Sequence, residues 1–262
     1  MIMPWEKFFV PNAELYQPFQ LLYYTEDKNP RQTLYLSLPK EKKDVPLIIF
    51  LHGGGMVGDD RETPRGFFNG QYAVAEPRYR LSAPGEAALH PLEDSARVIA
   101  WCLDHAKEFS IDPEKIFVGG MSAGAYLAAI TVMDPKWLAP YGYSFRNIAG
   151  LCPVSGQMTT HFQIKANLGC TEHACQPKFD ELAPLSHLSA ELPPICLVTG
   201  ESGLDMPARP EENAFTAASL RAMGHPFVQN YHLSGHDHGG ALEGCDFLLM
   251  RFIGQILAQK KA

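Results

Sequence analysis

Residues 115–126 read Lys-Ile-Phe-Val-Gly-Gly-Met-Ser-Ala-Gly-Ala-Tyr, and this run constrains the fold more than any other part of the chain. It predicts a short buried strand over 115–119, a tight turn, and a helix over 123–133 that Pro135 ends. A strand passes into a helix within so few residues only if small side chains let the two backbones come close. Gly120 and Gly124 supply that space, and Gly119 and Ala123 extend it. Such a turn lifts the Ser122 hydroxyl above the sheet edge and aims the positive end of the following helix at it. Gly-x-Ser-x-Gly is a weak pattern alone. Set between a strand and a helix it points to a nucleophilic serine.

The rest of the chain alternates strands and helices. Residues 33–38 alternate as a half-buried strand does, and 45–51 form a continuous apolar run suited to a buried parallel strand. Further strands are predicted at 71–76, 148–153, 195–199 and 227–233. Helices are predicted at 91–109, 211–223 and 247–259, with Gly224 as a C-terminal cap. Residues 1–30 are rich in aromatics and prolines and read as a surface wrap or edge hairpin. This order argues for an α/β fold, a mostly parallel central sheet with helices on both faces. Sites in such sheets lie at the carboxyl ends of the strands, where the glycine-rich and histidine-rich segments fall here.

With 262 residues the chain is long enough for one large core, and residues 1–262 read as a single domain, with 159–190 a possible lid or cap. Its formal net charge of −7 disfavours a nucleic-acid partner. No apolar run is long enough to span a membrane, and the first residues, with Glu6 and Lys7, lack a signal-peptide core. As written the chain reads as cytoplasmic, or as periplasmic or secreted if a signal was removed. Oligomeric state is not legible. The six cysteines are not a disulfide framework. Cys102, Cys152 and Cys196 read as buried thiols. Cys170 and Cys175, with His173 between them, read as loop thiols, with a loop disulfide or a metal site as the alternatives. No Cys-x-x-Cys pair supports a structural zinc.

His52-Gly53-Gly54-Gly55 follows the apolar strand directly. Acyl transfer builds negative charge on a carbonyl oxygen, and preorganised amides stabilise it, each worth roughly 3–4 kcal/mol. The amides of Gly54, Gly55 and Ala123 are the candidate oxyanion donors, and His52 reads as a loop brace. A phosphate loop is disfavoured because the run lacks the Gly-Lys-Ser/Thr ending.

His-Gly-Gly-Gly, then Gly-Met-Ser-Ala-Gly, then a late acid and histidine, resembles the α/β-hydrolase esterases. The likeness is to the hormone-sensitive-lipase-like and feruloyl- or acetyl-esterase-like branches, and covers nearly the whole chain after about residue 30. Residues 111–116 and Pro193-Pro194 are similar to the family's approaches to the nucleophile and acid strands. The resemblance implies carboxylic ester hydrolysis on a small-molecule ester, with no metal and no organic cofactor.

The base should follow the last strand, where Tyr231-His232-Leu233-Ser234-Gly235-His236-Asp237-His238-Gly239-Gly240 offers three histidines. His232 lies inside the strand. Gly235 and His238 match the family spacing, and His236 is the alternative. A histidine suits the task because its pKa near 6.5 lets it accept the serine proton and return it. The acid should follow the strand at 195–199, in the order Ser, acid, His. Asp205 is the first choice and Glu201 the second, while Asp237 reads as exposed or as a loop brace.

Arg78 and Arg80 read as loop braces, with Asp94 a plausible partner. Arg209, Glu211, Glu212 and Asn213 flank the acid loop and are expected to fix its shape. Asp59, Asp60, Arg61 and Glu62 read as a solvated face or an entrance rim. The polar stretch 159–176 suits a small or sugar-linked ester better than a long lipid. The function expected is a serine carboxylesterase working through an acyl-enzyme. The alternatives are a serine peptidase, disfavoured because no propeller or other extra domain is read, an arylformamidase-type amidase, and a non-catalytic ligand-binding member of the fold.

Overall fold

The computed structural model describes residues 10–59 and 61–260. The expectations on residues 1–9 and on Asp60 lie outside the described residues.

Eight strands form one sheet: β1 (Gln20–Tyr23), β2 (Thr33–Ser37), β3 (Val45–Leu51), β4 (Ala73–Pro77), β5 (Ile111–Met121), β6 (Gly150–Val154), β7 (Ile195–Gly200) and β8 (Val228–Leu233). Their order is β1-β2-β4-β3-β5-β6-β7-β8. β1–β2 and β2–β4 pair antiparallel, and every other pair is parallel. The helices are α1 (His90–Asp104), α2 (Ala123–Met133), α3 (Pro135–Leu138), α4 (Phe162–Asn167), α5 (Arg209–Ala222), α6 (His238–Gly244) and α7 (Asp246–Gln259).

The continuous apolar run of β3 follows from burial on both sides. Leu47, Ile49 and Leu51 join the core shared with residues of α1 and α2, while Ile48 and Phe50 join the core shared with residues of α7. Strand side chains alternate with period two, so a strand covered on both faces needs apolar residues at every position. The mostly parallel sheet with helices on both faces is therefore present. α2 is apolar on all sides, and all eleven of its residues are buried.

Several boundaries and environments differ from expectation. β2 is not half-buried: all five residues are sealed, because it is paired on both edges and Phe19 covers Tyr35 at 5.4 Å between ring centroids. The half-buried alternation belongs to its outer neighbour β1, where Leu21 and Tyr23 stay exposed. α1 stops at Asp104 rather than near 109, and the chain turns through Ser110 at φ 56° to enter β5. α6 is not among the helices that the sequence predicts. Its glycines hide it from propensity, and it forms because the Asp237 side chain caps it by accepting from the Gly240 amide at 2.8 Å. Gly224 does cap α5, at φ 84°, with its amide bonded to the Arg221 carbonyl.

The turn after β5 depends on two absent side chains. A Cβ on Gly124 would meet the Leu51 and His52 carbonyl oxygens at 2.1 and 2.4 Å. One on Gly120 would lie 2.5 Å from the Gly124 backbone. Neither has a positive φ, so the need is for close approach of α2 to the end of β3. Gly124→Ala is expected to cost more than about 3 kcal/mol, or to prevent folding. Gly254→Ala, on α7 with open space at its Cβ, is expected to gain about 0.5–1 kcal/mol. Urea unfolding of the two variants tests the pair, and equal effects would remove the close-approach explanation.

Candidate active site

Segments that follow five strands, β3, β5, β6, β7 and β8, meet at the carboxyl edge of the sheet. Ser122 follows β5 at φ 54° and ψ −114°, a strained backbone held by its amide bond to the Val154 carbonyl at 2.8 Å. It is 8% exposed. The glycine loop after β3 lies against it: a Cβ on Gly53 would come within 3.2 Å of the Ser122 Cβ. Gly54 and Gly55 take φ of 75° and 61°, which glycine adopts without penalty. Neither amide donates a backbone hydrogen bond among the described residues. Ala123 opens α2, where the first amides have no partner within the helix. The glycine loop thus lies against the serine through Gly53, and Ala123 follows the serine directly.

The loop is clamped from below. Glu62 accepts from the Gly53 amide at 2.6 Å, and Tyr79 donates to the His52 and Gly53 carbonyls at 2.9 and 3.1 Å. His52 stacks on Tyr79 at 4.2 Å, with its Nδ1 on the Gly53 carbonyl at 3.1 Å. Burial pushes the His52 pKa down to about 4, so its imidazole stays neutral. The expected solvated face is corrected here at Asp59, Arg61 and Glu62. Asp59 accepts from Arg31 and from Arg78, Arg61 grips Glu76 at 2.6 and 2.9 Å, and Glu62 braces the loop. Charges beside a glycine-rich loop with few side chains of its own become its scaffold. Arg80 pairs with fully buried Asp94 at 2.7 Å.

Asp205, in the turn after β7, bonds His238 Nδ1 at 2.6 Å. His238 is the first residue of α6, and its side chain is 27% exposed. Gly200 lets β7 meet this region, since a Cβ there would strike the His236 and Asp237 carbonyls at 2.5 and 2.7 Å. Glu201 instead binds the Gly235 amide, and His236 Nδ1 the Ser234 carbonyl, so neither alternative joins the pair. Asp237 serves as the cap of α6. Ser122 Oγ makes no hydrogen bond among the described residues. The structure joins acid to imidazole and leaves the serine–imidazole bond open, an arrangement common before ligand binding.

Sequence reasoning missed Ser155. It follows β6 at φ 49°, and its hydroxyl reaches both Asp205 oxygens at 2.7 Å and His238 Nδ1 at 2.9 Å. Nothing local marks it, apart from its position after an apolar strand. Burial pushes the Asp205 carboxyl up. Hydrogen bonds from His238, Ser155 and the Gly200 and Met206 amides outweigh that and hold its pKa at about 2. Because His238 Nδ1 faces an ionised acceptor, it carries the proton, and Nε2 is left with a lone pair able to accept one.

Arg209 is buried and donates no side-chain hydrogen bond, while Glu212 accepts from the Met158 and Thr159 amides at 2.6 and 3.0 Å. The polar stretch beyond is held by Lys165, whose buried ammonium donates to the His173, Ala174 and Gln176 carbonyls at 3.1, 2.9 and 2.7 Å. Cys170 and Cys175 are free thiols, and Lys178 Nζ lies 3.2 Å from the Cys170 sulfur. Cys102, Cys152 and Cys196 are buried. Among the described residues no group of His, Cys, Asp or Glu has a metal-holding arrangement, and no helix is long and apolar enough to cross a membrane.

Residues 89–246 match the prolyl oligopeptidase family, and residues 34–136 match BD-FAE. A versiconal hemiacetal acetate esterase of Dothistroma septosporum is 35% identical over 132 residues, which cover 48% of this chain and 38% of that protein. The chain thus spans well under two thirds of that relative's length. Two solved structures share the fold. A truncated carbohydrate esterase from gut microbiota has a TM-score of 0.77 at 16% identity, covering 97% of this chain and 100% of that one. Esterase B from Lactobacillus rhamnosis has a TM-score of 0.75 at 18% identity, covering 96% and 89%.

The acid's low pKa has a consequence for stability. A carboxyl with an ordinary pKa near 3.9 when unfolded and about 2 when folded contributes stability above about pH 4, lost as pH falls through 2. The stability gap between wild type and Asp205→Asn should therefore shrink as pH drops from 5 to 2, measured by urea unfolding. Ser155→Ala should move that loss to higher pH. A gap constant with pH would show that the hydrogen bonds do not set the acid's charge.

Proposed function

The chain belongs to the prolyl oligopeptidase family, within the α/β-hydrolases, and from that premise we propose that it hydrolyses small carboxylic esters through Ser122, His238 and Asp205. The observation that carries this reading is the Asp205–His238 bond at the sheet edge that also bears the strained Ser122 and the unbonded glycine amides. The ester-cleaving relatives support it.

In this mechanism substrate brings His238 Nε2 and Ser122 Oγ into hydrogen-bond range. Ser122 Oγ attacks the acyl carbon and its proton passes to Nε2. Asp205, ionised at all working pH, holds the imidazole by Nδ1–H and stabilises the imidazolium. The oxyanion receives the amides of Gly54, Gly55 and Ala123, and the bond to the alcohol breaks as Nε2 returns the proton to it. Water then repeats the sequence on the acyl-enzyme and releases the acid. None of these steps needs a metal or organic cofactor.

The described residues work as one domain in this reading, with 159–190 as the lid. Support for a small or sugar-linked substrate comes from a cavity of about 400 Å³ beside Val57 of the glycine loop, lined by Ser82, Glu86, Gln163 and Asn167. Asn167 bonds the Ser82 hydroxyl at 2.8 Å and Gln163 bonds Asn167 at 2.9 Å, so the walls offer polar groups to hydroxylated ligands. Peptide hydrolysis is the second reading, favoured by the family model, because the same machinery can cleave amides.

Ser122→Ala is expected to lower kcat/KM on 4-nitrophenyl acetate by more than roughly 10⁴-fold with the melting temperature retained. A fluorophosphonate probe should label wild type and not the variant. Activity of the variant within a few-fold of wild type would reject the nucleophile, and an unlabelled wild type would favour a binding module. Acetyl and butyryl esters should exceed acyl chains longer than about eight carbons, and faster cleavage of a Gly-Pro-anilide than of any ester would favour the peptidase.

A further inference from the structure

Arg209 is 2% exposed, and its Nε and Nη1 are sealed without a hydrogen-bond partner among the described residues. A buried guanidinium without an acceptor is among the costlier arrangements a fold can hold. The two nearby carboxylates do not serve it. Asp205 is already occupied by His238, Ser155 and the Gly200 and Met206 amides. Glu212 is occupied by the Met158 and Thr159 amides and the Thr159 hydroxyl. They favour the charge at a distance but leave its N–H groups spare. Burial pulls the Arg209 pKa down, to about 10, which keeps it a cation near neutrality.

His161 is a second spare donor close by. It is fully buried, its Nδ1 accepts from the Gln163 amide at 3.1 Å, and its Nε2 has no partner. With Nδ1 accepting, the ring proton sits on Nε2. Burial, then the charges of Arg209 and Lys165, keep its pKa well below the ordinary value, so the ring adds a neutral N–H and no second charge. Asn213 ties the two segments, donating to the Arg209 and Gly156 carbonyls at 2.8 Å each.

Both donors sit on segments next to the candidate site. Arg209 opens α5 four residues after Asp205, with its amide on the Met206 carbonyl at 3.1 Å. His161 packs on Phe162 at 4.3 Å, and the Phe162 ring tip lies 3.8 Å from where a Cβ on Gly55 would be. One donor thus follows the acid loop, and the other reaches the glycine loop through Phe162. Resting on the ester-hydrolysis reading, we propose that Arg209 and His161 form a subsite for one carboxylate carried by the substrate. One cation plus one neutral N–H matches a monoanion. A neutral sugar ester would leave the guanidinium charge without a counter-ion.

Two matched pairs test this on the intact chain: 3-acetoxybenzoate against 3-acetoxybenzamide, and mono-4-nitrophenyl adipate against its methyl ester. The first carries the charge on the alcohol side, the second on the acyl side. Wild type should prefer the charged member of at least one pair by about 10-fold or more in kcat/KM. Arg209→Gln should reduce that charged-to-neutral ratio by about 10- to 100-fold, and Arg209→Lys should restore part of it. Equal handling of both members by wild type overturns the proposal, and needs no folded variant. An equal loss on both members in Arg209→Gln also overturns it, and points to an internal water or a structural brace. If neither these esters nor 4-nitrophenyl acetate is cleaved, the hydrolase reading fails. Calorimetric titration with benzoate then still decides the subsite, with binding to wild type and loss in Arg209→Gln supporting it and no binding to wild type overturning it.

Discussion

The close approach of α2 to the end of β3 is the contact on which the rest of the site depends. Gly124 sits where any side chain would enter the Leu51 and His52 carbonyls, and Gly120 sits under the first turn of the same helix. The same turn holds Ser122 at a φ of 54° and opens α2 at Ala123, packed against the end of β3. The candidate nucleophile and the glycine loop are thus set side by side by one packing event, and α2, buried along its whole length, holds the strained turn.

A glycine loop has little to hold it in shape by itself, and charge supplies the hold. Glu62 takes the Gly53 amide, Asp59 gathers two arginines, and Arg61 forks onto buried Glu76. Asp94 is sealed beneath Arg80 and also bonds Gln32 and the Arg80 amide. Removing one partner from a buried pair of this kind costs about 3–5 kcal/mol, far more than an exposed pair. Ion pairs and hydrogen bonds therefore brace the glycine loop, while apolar packing holds the strands that carry it.

The acid shows how burial and hydrogen bonding oppose each other at one group. Desolvation favours its neutral form, and four donors reverse that, so Asp205 remains an acceptor for His238. Ser155 is one of those donors, held at a positive φ at the end of β6. Arg209 shows the opposite case, a charge that burial disfavours and whose N–H groups no acceptor meets.

Local pattern alone determined the elements with strong periodicity. The bounds of β3 and α2 follow from an apolar run and a proline stop, and the elbow follows from two glycines around a serine. The candidate serine, acid and imidazole were legible because strand ends and chain order leave few residues to choose from. Tertiary structure decided the rest. It showed β2 sealed on both faces, made α6 a helix by capping a glycine-rich segment, and turned a charge run into a scaffold. It also chose Asp205 and His238 as bonded partners over Glu201 and His236, and brought in Ser155, Arg209 and His161. The physical reason is common to all of these. Periodicity and turn chemistry are written within a few residues, whereas a hydrogen bond between groups 33, 50 or 83 positions apart exists only after the sheet has brought strand ends together.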